Sequence, residues 1–381
     1  MRLMPVIVTL LVTLAPGLAL AQASAPALQA ELEAEIAEVR EAVGLVGAGG
    51  IILQGEDVLA ISVSGERRKG SGELIGNDDL WHIGSITKSM TATMIGALVE
   101  EDMLDFDATL AEILPARSAQ MDPGWRAVTL HQLLSHTAGA PANFGLTTQF
   151  LWPETAAEER DVRASQVEKI LAAAPKSEPG TKFTYSNVGY TIAGYVAEQV
   201  SGETYEELMR SRVFEPMALA SAGFGPPTGD NPWGHAKKYF FLKSAMDPNG
   251  RSDNTPVISP AGRVHLSLQD LAAYGRWHLL GEQGTDNVLN ADTYRFLHKP
   301  VLSDYAAGWV VYDREWADGE LIWHNGSNTM WYALLLILPE KDTVMAFTSN
   351  DPDFREAEQA FIGAARSLAA KLPPSGTREA E

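Results

Sequence analysis

The sequence predicts an α+β protein in which both ends of the chain build one helix-and-sheet domain and an all-α domain is inserted between them. Three observations carry that prediction. Near the N-terminus, two short β-branched runs at 50–54 and 58–64 are separated by Gly55-Glu56-Asp57, the chemistry of a hairpin turn. From Ala307 onward strand patterns return, at 308–312, 321–323, 331–338 and 344–348. Between these regions the apolar spacing is mainly three and four residues, the period of a helix with one buried face.

Taken in order, residues 1–21 carry one early cation, Arg2, an apolar run at 3–15, a Pro16-Gly17 break, and Ala19-Leu20-Ala21 before Gln22. This is the pattern of a secretory signal cut after Ala21, and the run is too short to span a bilayer comfortably. The sequence therefore predicts a periplasmic or secreted protein with no stable membrane span after cleavage. The roughly 360 residues that would remain of 381 suggest two domains: a discontinuous sheet domain at 22–90 and 300–381, and a mainly helical one at 91–299. Leu28, Leu32, Ile36, Val39 and Val43 mark one face of a first helix that ends at Gly44. Helical spacing then recurs at 85–101, 130–134, 165–173, 188–200, 205–213 and 268–279, broken by Gly- and Pro-rich loops at 223–232 and 247–260. A last helix is predicted over 354–372.

Composition removes several functional classes. A formal charge of −20 argues against nucleic-acid or anionic-membrane partners, which attract basic surfaces. With no cysteine, there is neither a disulfide framework nor a thiol nucleophile. The eight histidines show no H-E-x-x-H or clustered ligand spacing, so neither a metal nor another cofactor is expected. No G-x-S-x-G elbow is present.

What remains is a serine-centred constellation. In WHIGSITK, Ser85 and Lys88 stand three apart at a predicted helix start, so they share one face with Cβ atoms roughly 5–6 Å apart. An amine so placed can act on the hydroxyl proton, and the free N–H groups of the first turn lie where an oxyanion would develop. Taken alone, the same pair also reads as a Ser N-cap with a solvated Lys. Further on, Tyr185-Ser186-Asn187 falls between an extended segment and the helix expected from Val188, so Tyr185 and Asn187 can point into a cleft. His324-Asn325-Gly326-Ser327 follows a strand, and Gly326 permits close approach of a ligand or of the Ser85 helix.

The ordered trio S-x-x-K, Y-x-N and H/K-x-G resembles the serine β-lactamase and penicillin-binding-protein superfamily. The likeness is to its class C-like branch of β-lactamases, D-amino-acid peptidases and esterases. LLSHTAG at 133–139, LDFDATLAEIL at 104–114, PGTKFTYSNVGY at 179–190 and PAGRVHLSLQDL at 260–271 support it. The resemblance implies an antiparallel sheet with flanking terminal helices. It implies Ser85 as acylated nucleophile, with Lys88 and Tyr185 sharing the base role. It further implies that Asn187 holds Lys88 and a substrate amide, and that the N–H groups of Ser85 and Ser327 form an oxyanion hole beside Gly326. His324 replaces a common lysine, and a largely neutral imidazole holds a carboxylate less firmly. The expected substrates are accordingly small esters or D-amino-acid amides and peptides. A true class C-like β-lactamase or cell-wall D,D-carboxypeptidase is the alternative within the mechanism, and an idle peptidoglycan- or partner-binding protein is the alternative outside it. Trp309, Trp323 and Trp331 read either as an apolar acyl pocket or as core. Ser252-Asp253-Asn254 spells a motif of class A enzymes but falls in a Pro/Gly-rich loop, and Ser135-His136 reads as scaffold.

Overall fold

The computed structural model describes residues 16–239 and 242–374, so most of the expected leader, residues 1–15, lies outside the described residues. In chain order the strands are β1 (Gly47–Gln54), β2 (Asp57–Gly65), β3 (Leu80–His82), β4 (Gly223–Phe224), β5 (His235–Lys238), β6 (Leu242–Ala245), β7 (Val264–Ser267), β8 (Val310–Arg314), β9 (Gly319–Ser327), β10 (Tyr332–Leu338) and β11 (Thr343–Ser349). Six of them form the main sheet in the order β2-β1-β11-β10-β9-β8, with every pairing antiparallel. Its strands come from both ends of the sequence, joined where β1 pairs β11.

Both faces of this sheet are covered, and the period-two alternation of strands decides which residue serves which face. Ile51, Leu335, Ile337, Val344 and Ala346 enter the larger core beneath the sheet. Ile52, Leu334, Leu336, Met345 and Phe347 enter a second core on the opposite face. There helix Pro16–Val43 buries Leu28, Leu32, Ile36 and Val39, and helix Phe354–Ala369 buries Ala357, Phe361, Ala365 and Leu368. Continuous apolar runs such as YALLLIL follow from burial on both sides.

The intervening chain is mostly helical, with helices Thr87–Glu100, Ala156–Leu171, Asn187–Ser201 and Leu268–Glu282 as its main members. It also holds strands that helical periodicity did not suggest. β3, β7 and β4 form a small sheet, and β5 pairs with β6. They are two to four residues long, too short for an alternation to be read, and β4 lies inside a Gly/Pro-rich segment expected to be loop. Trp309 and Trp331 are fully buried, and Trp323 packs toward the outer core, so all three tryptophans resolve as core.

Candidate active site

Ser85 lies in a 3₁₀ turn, Gly84–Ile86, that runs directly into helix Thr87–Glu100. The sequence reading placed it in the α-helix proper; the tighter turn leaves Ser85 half-buried while every neighbour from Trp81 to Met90 is buried. One turn on, Lys88 is 0 % exposed. Its Nζ lies 3.0 Å from Ser85 Oγ, 2.8 Å from Asn187 Oδ1 and 2.7 Å from the Ala261 carbonyl oxygen. Burial with no carboxylate at hand drives the amine well below its ordinary 10.5. All three neighbours are oxygens that can accept from Nζ, and in the neutral amine one of the three contacts falls to the nitrogen lone pair, which the Ser85 hydroxyl alone of the three can donate to.

Tyr185 and Asn187 are delivered by the start of helix Asn187–Ser201. Ser186 caps it, its Oγ accepting from Gly189 N–H at 2.8 Å. Asn187 Oδ1 thereby reaches Lys88, and its Nδ2 donates to Asn143 Oδ1 at 2.7 Å. The Tyr185 ring centroid is 4.8 Å from Lys88 Nζ, and its hydroxyl interacts with Ser85. Burial pushes this phenol above its ordinary 10.0, and the Ser85 contact opposes that shift. Exposure of 38 % of the residue tempers the desolvation, yet the direction disfavours a phenolate.

The third segment is not a loop after a strand but part of β9 itself, which is longer than its sequence pattern suggested. Alternation then sorts its members. His324 pairs with Leu335 and shares its inner face, whereas Asn325 pairs with Leu334 and donates from Nδ2 to Glu358 on the outer side. Gly326 returns to the inner face. A Cβ there would lie 2.0 Å from the Ile83 carbonyl oxygen and 2.4 Å from Ser85 N, and one on Gly84 would lie 2.3 Å from Ser327 N. Only glycines at both positions let β9 touch the Ser85 turn, which brings the Ser85 and Ser327 segments together. His324 is buried, and desolvation followed by the nearby Lys88 lowers it to about 3. It is therefore neutral, with Nε2 3.0 Å from the Tyr305 hydroxyl.

All seven expected residues, Ser85, Lys88, Tyr185, Asn187, His324, Gly326 and Ser327, thus gather around one point. Others nearby were not singled out from the sequence. The Ala261 carbonyl carries no side-chain signal, and Asn143 and Tyr305 belong to no spaced pattern. His136, taken for scaffold within LLSHTAG, packs against Tyr185 in a tilted arrangement with ring centroids 4.4 Å apart and accepts at Nδ1 from Ser186 N–H. Its juxtaposition with the Y-x-N segment could have been suspected only with the fold in hand. Among the described residues no group of three or more His, Asp or Glu is arranged to hold a metal ion.

A serine–lysine pair beside a tyrosine, set where β9 of an antiparallel sheet meets the Ser85 turn, is the arrangement of a serine-hydrolase class of site. Comparison with known proteins narrows it. The family model described as Beta-lactamase matches residues 32–368, and the chain belongs to that family of β-lactamase-fold serine hydrolases. It is 26 % identical over 308 residues to penicillin-binding protein 4 of Amycolatopsis lactamdurans, covering 75 % of this chain and 76 % of that protein. It is 30 % identical over 183 residues to lovastatin esterase of Penicillium rubens, covering 44 % and 46 %. Its fold is that of the D-stereospecific amidohydrolase from Streptomyces sp., with a TM-score of 0.67 and 23 % identity over 88 % of this chain and 97 % of that one.

Proposed function

We propose that the protein cleaves small esters or D-amino-acid amides and peptides through an acyl-enzyme on Ser85. The observation that carries this reading is the fully buried, uncompensated Lys88 amine 3.0 Å from Ser85 Oγ. In the proposed sequence the Ser85 proton passes to Lys88 as Oγ attacks the carbonyl carbon. The carbonyl oxygen, now anionic, rests between the N–H groups of Ser85 and Ser327. Collapse expels the alkoxide or amine, which takes the proton back from Lys88, directly or through the Tyr185 hydroxyl. Water then attacks the ester, losing its proton by the same route, and the free acid departs. Lys88 is the acylation base in this scheme because burial favours its neutral form, while burial keeps Tyr185 a neutral phenol suited to relaying a proton.

The substrate class rests on His324. A neutral, buried imidazole offers no fixed cation for a carboxylate, which favours neutral esters and amides over penicillins. Similarity to an esterase and to a D-stereospecific amidohydrolase supports the same choice. We further place the protein outside the cytoplasm on the strength of its leader.

The test is turnover of an aryl ester, a D-alanyl anilide and benzylpenicillin by the same preparation. The ester or the anilide is expected to exceed the penicillin by about tenfold or more in kcat/KM, the worth of one lost charge-assisted contact. Ser85→Ala is expected to abolish all turnover. A penicillin as best substrate would assign a β-lactamase instead, and folded protein inert to all three would favour a binding role.

A further inference from the structure

The loop triplet Ser252-Asp253-Asn254 has no part in the scheme above, yet its side chains end beneath the site. The Asp253 side chain is completely buried. One carboxylate oxygen, Oδ1, lies 3.0 Å from His82 Nε2 and accepts from Asn328 Nδ2 at 2.8 Å, and the other accepts from Arg263 Nε at 3.1 Å. Each of these partners adjoins a working element. His82 Nδ1 accepts from the N–H of Gly84, the residue before Ser85, at 3.1 Å, which puts the ring proton on the nitrogen facing Asp253. Asn328 follows Ser327, and its Oδ1 in turn accepts from the N–H groups of Met330 and Trp331. Arg263 lies two residues beyond Ala261, whose carbonyl holds Lys88. Asn254 Nδ2 donates to the carbonyl of Gly262, between them, at 2.9 Å.

We propose that Asp253 is a positioning residue for acyl transfer, a buried anion that clamps the Ser85 turn, the Ser327 end of β9 and the Lys88-holding 261–263 segment in mutual register. The inference rests on the proposed acyl-enzyme. None of the Asp253 contacts is to Ser85, Lys88 or Tyr185, so its effect passes through His82, Asn328 and Arg263. The site demands such a device because its two N–H donors come from separate chain segments. At the contact itself only the close packing of Gly84 and Gly326 is seen, and a shift on the order of 1 Å costs roughly a hundredfold in rate. Burial would raise Asp253, and the neighbouring His82, Arg263 and Asn328 outweigh it and draw the carboxyl down to about 2.

The experiment compares single-turnover acylation by an aryl ester in the full-length protein, Asp253→Asn and Asn328→Ala, each confirmed folded by near-UV circular dichroism at the assay temperature. Asp253→Asn keeps the shape but removes the charge and turns one acceptor oxygen into a donor, among the Arg263 and Asn328 donors. It is expected to slow the acylation step about 10- to 100-fold with the ester's half-saturating concentration changed less than about twofold, as loss of oxyanion alignment predicts. Asn328→Ala breaks one arm and is expected to slow the same step about tenfold. A folded Asp253→Asn that acylates as fast as the parent, or whose loss falls wholly in half-saturation, overturns the proposal. Should Asp253→Asn fail to fold, Asn328→Ala decides by the same criterion. A parent protein that is never acylated overturns the acyl-enzyme reading itself, a result distinct from equal rates in parent and variant.

Discussion

At the level of single residues, the proposed chemistry turns on Lys88. As the acylation base it must be deprotonated, so acylation is expected to rise with pH through a value well below 10.5, and Tyr185→Phe should leave that limb in place while lowering the rate about 10- to 100-fold. Loss of the limb in Tyr185→Phe would transfer the base role to the tyrosine. Lys88→Arg, always protonated, is expected to lose about a thousandfold or more in kcat. The depressed amine also has a stability consequence. Between its depressed folded value and 10.5 the unfolded chain binds a proton that the folded protein does not, so this group makes stability rise with pH across that window. Thermal melts of Lys88→Met against pH should show that slope removed. Gly326 admits a sharper structural test. A methyl group there would stand 2.0 Å from the Ile83 carbonyl, so Gly326→Ala should both lower the melting temperature and abolish acylation by prising β9 from the Ser85 turn.

Among the elements, helix Ala156–Leu171 meets helix Asn187–Ser201 through a buried ionic cluster. Arg163, 0 % exposed, faces Glu198 and Glu206, with Glu159 between Arg163 and Arg263. Carboxylates outnumber guanidiniums there. Burial is the chief reason Glu198 rises to about 7, and burial followed by repulsion from Glu206 raises Glu159. The sign follows directly. Between about 4.5 and 7 the folded protein holds protons that the unfolded chain has released, so this cluster loses stability as pH rises through that window. Melting temperatures of Glu198→Gln and Glu159→Gln should depend less on pH than those of the parent, and an unchanged slope would refute the assignment. None of this cluster was evident beforehand. The helix was read from Ser165, because its first turns carry charges at nearly every position and hide the apolar period, although Thr155 caps it with Glu158 in a capping box. Strong apolar spacing, as in helix Asn187–Ser201, located its element within a residue or two. Strands of two to four residues have no period to detect, which is why β3 to β7 escaped.

For the whole molecule, the antiparallel sheet built from both chain ends and the helical stretch between them were legible in the sequence. Three short motifs, spread from Ser85 to Ser327, converge because β1 pairs with β11 and β9 packs on the Ser85 turn. The motif residues declare themselves by chemical type. The groups that place them, Ala261, Asn143, His136 and Asp253, do not, since a carbonyl, an amide or a buried carboxylate acquires its role only from what the fold sets beside it. The apolar anchorage of helix Pro16–Val43 in the outer core includes Leu28, Leu32, Ile36 and Val39, so cleavage after Ala21 would spare these contacts. Protein recovered from the periplasm of an expressing bacterium is accordingly expected to begin at Gln22, and recovery with the leader attached would count against export by cleavage. The central claim, a covalent intermediate on Ser85, is tested most directly by intact-protein mass spectrometry after brief exposure to an activated aryl ester, with Ser85→Ala alongside. The account predicts a mass increase equal to the acyl group that is absent from Ser85→Ala. An adduct that survives the substitution, or none in folded, unmutated protein, would contradict it.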